Sequence, residues 1–200
     1  MRNHPLQCRC GKVKGHVERP GMAVRMTCYC ADCQAYAHFL GPPDRMLDAH
    51  GGTAIVATLP TQVHFDQGFE ALACMSLSER GLVRWYASCC NTPIGNTPRG
   101  FKMPYVGLVD SCLASESPSL QESFGPRRMV LGTKSASGNV QSTPTGAVFM
   151  AMAQLMKSVF GARLRGDYKR NPFFDPATGQ PAVAPRVLTR EERARVTPAA

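Results

Sequence analysis

The cysteines constrain this chain more than any other feature of its sequence. There are nine in 200 residues, and an odd number argues against a complete set of disulfides. Most fall in three clusters: Cys8 and Cys10, then Cys28, Cys30 and Cys33, then the adjacent pair Cys89 and Cys90. Cysteines at such short spacings are typical of metal sites.

The middle cluster, C-x-C-x-x-C, predicts a metal site with an open coordination position. Residues i and i+2 of a strand face the same side, so Cys28 and Cys30 can present two sulfurs to one ion. After a turn, Cys33 can add a third sulfur from the start of a helix. Three sulfurs about 2.3 Å from zinc leave one tetrahedral position for water or substrate, as in catalytic sites. The alternative is a chance cluster of reduced thiols or a redox pair.

Several other residues leave both a functional and a structural interpretation open. Cys74 and Cys112 stand alone among apolar neighbours, so we expect them to be small buried residues without a role. Cys89 and Cys90 can instead serve redox sensing or metal trafficking, although adjacent cysteines form only a strained disulfide. His38 and His64 can exchange protons near pH 7, or they can be ordinary solvent-facing or hydrogen-bonded histidines. Trp85 can line a pocket or lie in the core.

Three motifs carry a resemblance to a known family. They read C-R-C-G-K-V-K-G at residues 8–15, C-Y-C-A-D-C-Q-A-Y at residues 28–36 and C-C-N-T-P-I-G at residues 89–95. Their order resembles that of the glutathione-dependent formaldehyde-activating enzyme (GFA) family, which includes relatives of centromere protein V. The resemblance covers about residues 6–110. It implies a mainly β protein with the β-tent zinc-binding fold, built from antiparallel sheets.

The resemblance also implies two zinc sites, one of the catalytic type and one of the structural type. The last motif departs from the family, because Ala87 stands where the family has its penultimate cysteine. Cys89 is adjacent to Cys90 instead, and neighbouring side chains on a strand face opposite sides. The implied ligands are Cys28, Cys30 and Cys33 for the catalytic-type site, and Cys8, Cys10, Cys90 and, only if the backbone kinks, Cys89 for the structural-type site.

The activity that the resemblance implies is that of a zinc-dependent carbon-sulfur lyase. Such a protein handles the adduct of a small aldehyde with a thiol such as glutathione, because the metal stabilises the deprotonated sulfur. The three cysteines would then be ligands and not nucleophiles, and no catalytic or substrate-binding residue can be assigned. The alternative is a zinc-stabilised binding module without catalysis, which acts through a basic C-terminal helical region.

Hydrophobic alternation predicts a β-rich body followed by an extension. Residues 11–18 and 22–30 predict a hairpin, residues 32–40 a helix, and four later segments predict strands. We therefore divide the chain into a zinc-binding β domain at residues 1–114 and a loop-rich extension at 115–200. The extension contains an amphipathic helix over about 145–165 and a Pro-rich arm at residues 171–186. The four later strand segments are 53–58, 62–65, 71–77 and 82–87.

Charge and hydropathy narrow the choice of partners and location. The net charge is +9, but residues 127–170 hold eight basic side chains against one acidic, so the first hundred residues do not form a basic nucleic-acid surface. We expect no nucleic-acid partner. We also expect no membrane span, no secretory signal and a cytoplasmic location. The apolar face of the 145–165 helix can pack against the sheet or against a second copy of the protein, which would give a homodimer. Contact with a membrane surface is the third interpretation.

Overall fold

The structure is a computed structural model that describes residues 3–113 and 118–198, and it is built mostly of β-sheet. The helices within these residues are α1 (Ala31–Leu40), α2 (Leu120–Phe124), α3 (Thr145–Leu164) and α4 (Arg190–Val196). The strands are β1 (His4–Gln7), β2 (Lys14–Val17), β3 (Val24–Cys28), β4 (Thr53–Thr58), β5 (Val63–Gln67), β6 (Leu72–Ser76), β7 (Val83–Ala87), β8 (Thr92–Thr97), β9 (Val106–Val109), β10 (Arg127–Leu131) and β11 (Arg186–Val187).

The strands form two sheets. One has three strands in the order β1-β2-β5, and the other has eight in the order β10-β3-β4-β9-β8-β7-β6-β11. The pairs are antiparallel except at the two edges of the larger sheet, where β10 runs parallel to β3 and β11 runs parallel to β6. The larger sheet is therefore mixed, and its centre is antiparallel.

The hairpin predicted between residues 11–18 and 22–30 is wrong. β2 pairs with β1 and β5, whereas β3 pairs with β4 and β10 in the other sheet. Between them the chain passes through Arg19, whose φ of 45° is left-handed, and a 3-10 turn at Pro20–Met22. This turn carries the chain from one sheet to the other. Alternation of apolar residues marks a strand but does not identify its neighbour.

The main core contains residues from both ends of the chain. Trp85 is fully buried, so of its two sequence interpretations the core is the correct one. Its ring packs against Phe173, with centroids 5.1 Å apart, and against Phe174 at 6.4 Å. Both phenylalanines are buried in the same cluster as Trp85. The Pro-rich arm is thus anchored in the core of the sheets by two aromatic rings.

The region after residue 113 is more regular than expected. The sequence predicts a loop-rich extension, yet within its described residues α2 and β10 also form. Ser119 and Glu122 form a reciprocal capping box at the start of α2, which stabilises a helix as short as this one. The boundary expected between residues 114 and 115 lies within 114–117, outside the described residues, and stays a prediction. None of the helices in the described residues is both long and apolar enough to cross a membrane.

Candidate metal centres

The three cysteines of C-x-C-x-x-C meet where β3 gives way to α1. Cys28 ends the strand, Cys30 is the N-cap residue of the helix, and Cys33 lies in its first turn. Their sulfurs all lie within 4.8 Å of one another, and Cys33 is the most buried of the three. Among the described residues no other Cys, His, Asp or Glu donor joins this group. The local spacing thus brings together the three thiols that the sequence selects.

The backbone next to this group is held close by a glycine. Tyr29 donates its N–H to the carbonyl of Leu131, 2.9 Å away, at the end of β10. The next residue, Gly132, has a φ of +68°, and a Cβ there would lie 2.8 Å from the Cys30 nitrogen. Glycine is therefore required both for the left-handed turn and for the approach of this loop to the thiols.

A buried arginine supplies positive charge near the three thiols. Arg84 is only 2% exposed and lies 5.4 Å from the ring centroid of Tyr36 in α1. Hydrogen bonds from the Cys28 and Cys33 thiols lower the pKa of Cys30, and the charge of Arg84 acts in the same direction. The negative charge is thus held on the Cys30 sulfur, whereas the same thiol hydrogen bonds, together with burial, raise the pKa values of Cys28 and Cys33. A thiolate is the form of cysteine that binds a metal.

The sequence interpretation missed Arg84, although its signal was present: a charged residue in the apolar strand segment V-R-W-Y-A. The guanidinium donates to Asn96 Oδ1 at 3.1 Å and lies 4.0 Å from an oxygen of Asp32. Asp32 in turn accepts a hydrogen bond from Arg193 of α4, 3.2 Å away. α4 is thus tied to the first turn of α1, which also carries Cys33.

Tyr105 is a second residue that the sequence interpretation missed. Its side chain packs against the apolar cluster that contains Cys33. Burial raises the pKa of Tyr105 to about 12, and the charges of Cys28 and Cys33 add to the effect. The phenol is therefore neutral at physiological pH and keeps its proton as a hydrogen-bond donor.

The other four clustered cysteines also converge. Cys10 lies 3.5 Å from Cys8 and 3.3 Å from Cys89 (sulfur to sulfur). Cys89 lies 3.9 Å from Cys8 and 3.8 Å from Cys90. All four donor atoms are within 4.8 Å of one another, so this group can surround a single metal ion.

A sharp turn brings Cys89 into this group beside Cys90. The two cysteines lie between β7 and β8, where Cys90 donates its N–H to the carbonyl of Ala87 and Asn91 has a left-handed φ of 54°. Ala87 itself is buried in β7. Desolvation opposes ionisation of Cys90, but hydrogen bonds from Thr92 and from Cys10 lower its pKa to about 6. A thiol with this pKa is mostly ionised at neutral pH even without a metal.

Cys74 and Cys112 lie apart from both groups, as the sequence suggests. Both are buried. Cys74 donates to the carbonyl of Val183 at 3.1 Å, and Cys112 donates to that of Val109 at 3.1 Å. Burial raises the pKa of Cys74 to about 12, and it also raises the pKa of Cys112. These thiols stay neutral and behave as small core residues.

Comparison with known proteins gives a family but no activity. No curated protein matches the chain. A solved structure of a Rhodobacter sphaeroides protein is similar with a TM-score of 0.41 and 17% identity, covering 64% of this chain and 98% of that one. The resemblance to the formaldehyde-activating enzymes stays a proposal. The family described as "Family of unknown function (DUF6151)" matches residues 1–184, and the chain therefore belongs to that family.

Proposed function

We propose that this protein is a zinc-dependent carbon-sulfur lyase of the formaldehyde-activating type. It would handle the adduct of a small aldehyde with a thiol such as glutathione at Cys28, Cys30 and Cys33. The observation that supports this best is the convergence of three thiols with no fourth metal-binding side chain within the described residues. An incomplete protein ligand set is typical of catalytic zinc sites.

The donor set suits a soft metal ion. Thiolates favour zinc over magnesium or calcium, and the positive charge of Arg84 offsets part of the charge of three thiolates. A zinc ion held there would keep one tetrahedral position for a fourth ligand and would stabilise an incoming thiol as its thiolate. The protein's own contribution is to place the three sulfurs at the junction of β3 and α1.

The reaction needs a proton donor as well as a thiolate. When the adduct forms, the thiol sulfur bonds to the aldehyde carbon and the thiol proton ends on the aldehyde oxygen. The reverse reaction breaks the same carbon-sulfur bond and returns the proton. Tyr105 is neutral and close to the cysteines, so we assign its hydroxyl the role of hydrogen-bond donor to that oxygen.

The group of four cysteines is proposed as a structural zinc site within a β-tent-like body. Four thiolates complete a tetrahedral shell and leave no position for a substrate. The site would join the loop after β1 to the turn between β7 and β8, which belong to different sheets. Thr92 already bridges these segments by accepting the N–H of Arg9 at 3.0 Å.

Replacing one cysteine of the open site tests the proposed function. We expect Cys30→Ser to lose about one zinc per chain, measured by elemental analysis. Calorimetry should show that this variant no longer binds glutathione. The variant should also no longer accelerate adduct formation from glutathione and formaldehyde.

Cys74→Ser is the matched control, because Cys74 is buried, donates a single hydrogen bond and belongs to neither group. It should keep the zinc, the binding and the activity of the wild type. A wild-type protein that holds zinc at Cys30 yet neither binds glutathione nor accelerates the reaction would contradict the proposal.

A second candidate function is a zinc-stabilised binding module that acts through α3 and forms a homodimer. One observation favours it: four large apolar side chains of α3 are exposed, by 52% to 88% of their surface. Monomeric proteins rarely expose large contiguous apolar patches, so a helix with several exposed apolar side chains is a candidate interface. The exposed residues are Phe149, Met150, Phe160 and Leu164.

The double substitution Phe149→Ser with Phe160→Ser tests the dimer. We expect sedimentation equilibrium to give twice the chain mass of 21.7 kDa for the wild type and the single mass for the variant, because the shared apolar face is removed. Leu82→Ser, at an exposed site outside the helix, should leave the dimer intact. A wild type that stays monomeric at millimolar concentration would exclude this interface.

A further inference from the structure

We propose that His16, Glu18 and His64 form a separate site for a divalent transition-metal ion, unrelated to the cysteines. The donor atoms of these three side chains lie within 4.8 Å of one another. Two imidazoles and one carboxylate are a ligand set for zinc in catalytic sites and for non-heme ferrous iron. The site lies on the three-stranded sheet.

Strand register places the three side chains on one face. His16 of β2 is directly opposite His64 of β5, and directly opposed side chains have Cβ atoms about 4.5 to 5.5 Å apart. Glu18 follows two residues after His16, so it projects from the same face. Its N–H continues the ladder by donating to the carbonyl of Gln62 at 2.8 Å. The ligands therefore stand on a paired backbone and not on a free loop.

Gly15 allows the two strands to approach this closely. A Cβ at this position would overlap the backbone carbonyl of His64. The register shifts next to it, between Lys14 and Gly15. This local irregularity is a bulge, a feature that re-aims neighbouring side chains.

A nitrogen of His64 lacks a proper partner. Its Nε2 is screened from water and makes no hydrogen bond of good geometry. The closest charged atom is Oε1 of Glu18 at 3.5 Å. A ring nitrogen that is screened from water and lies beside a carboxylate, yet makes no hydrogen bond of good geometry, is suited to a cation bound by both side chains.

His16 is already oriented as metal-binding histidines are. Its Nδ1 lies 3.1 Å from Oδ2 of Asp66. A carboxylate at the other ring nitrogen is the usual outer partner of a metal-binding histidine. The rings of His16 and His64 are nearly parallel, with centroids 4.9 Å apart. Their side chains are 28% and 41% exposed, so each ring can rotate toward a shared ion.

The site opens into a cleft that can hold a ligand. The cleft has a volume of about 640 Å³ and is lined by these side chains together with Phe65, Phe69 and Arg170. Three protein ligands leave positions for water or a small molecule. The cleft gives such a molecule room beside the ion.

Zinc content at a fixed free-zinc concentration tests the proposal. After dialysis against buffered micromolar Zn²⁺, the wild type should hold one ion more than the double variant His16→Ala with His64→Ala. His38→Ala, an exposed histidine elsewhere, is the matched control and should keep the full number. Asp66→Asn should weaken the binding of this one ion and raise its Kd by about 10- to 100-fold. The measured quantity is the difference in zinc content between variants. Zinc bound by the cysteines is common to all of them and does not affect this difference.

Proton NMR of the five histidines gives the second measurement. Added Zn²⁺ should shift the ring signals of His16 and His64 and leave those of His4, His38 and His50 in place. The circular dichroism spectrum of the double variant must match that of the wild type. Equal zinc content in the folded double variant and the wild type, or equal shifts at all five histidines, would overturn the proposal.

Discussion

Phe173→Ala is expected to lower the free energy of unfolding by about 3 to 5 kcal/mol, the usual range for a buried phenylalanine. The ring is completely buried. It packs against Trp85 with centroids 5.1 Å apart and against Phe65 at 5.7 Å. Truncation leaves a cavity between both sheets and the Pro-rich arm, and a cavity of this kind collapses only partly.

Chemical denaturation followed by fluorescence measures this effect well, because Trp85 is the single tryptophan of the chain and touches the deleted ring. Leu82→Ala truncates a large apolar side chain at a site that is 42% exposed and lies outside α3. It should change the stability by less than about 0.5 kcal/mol. Equal effects of the two substitutions would mean that the arm does not contribute to the core.

Removal of metal by a chelator is expected to destabilise the protein even more. A structural zinc site contributes about 10 to 16 kcal/mol of apparent binding free energy in small zinc domains. Here the proposed structural ion would join the loop that carries Cys8 and Cys10 to the turn that carries Cys89 and Cys90. Without it, these segments are connected by hydrogen bonds such as that from Arg9 to Thr92 and by the packing of Cys8 and Cys90 in the main core. We expect the denaturation midpoint to fall steeply when EDTA is added.

Single substitutions assign this effect to one of the two cysteine groups. Cys89→Ser should lower the denaturation midpoint in the absence of EDTA. The further fall of the midpoint when EDTA is added should then be smaller than in the wild type. Cys30→Ser, in the open site, should lower the midpoint much less. Cys112→Ser should keep the full response to EDTA, because Cys112 bonds only to backbone carbonyls. A wild-type midpoint that does not respond to EDTA would rule out a structural ion at the four cysteines.

The strands were easier to predict than their partners. β4 covers Thr53–Thr58, the range that alternation indicates, and α1 begins within one residue of its expected start. The pairing of β2 with β1 and β5 was not predictable, because the alternating pattern specifies which side chains face the core and not which strand lies beside them. α2 could have been found, since Ser119 and Glu122 have the spacing of a capping box.

The same distinction applies to the candidate sites. The meeting of Cys28, Cys30 and Cys33 depends on neighbours in sequence, so local spacing predicts it. Arg84 comes to these thiols from β7, over fifty residues later in the chain, and no pattern in the sequence connects them. The proximity of Cys89 and Cys10 depends on the left-handed backbone of Asn91. Asn adopts this conformation more readily than most residues, but the sequence does not show that it does so here.

The parallel pairing of β10 with β3 also determines the order in which this protein can assemble. β3 and α1 are complete by residue 40, and β4 follows closely, but the other neighbour of β3 comes only at Arg127–Leu131. Contacts between residues so far apart in the chain form slowly. During synthesis the three cysteines are therefore made before the strand that covers one side of β3. A metal ion can enter at this stage, before β10 and Gly132 close over Cys30.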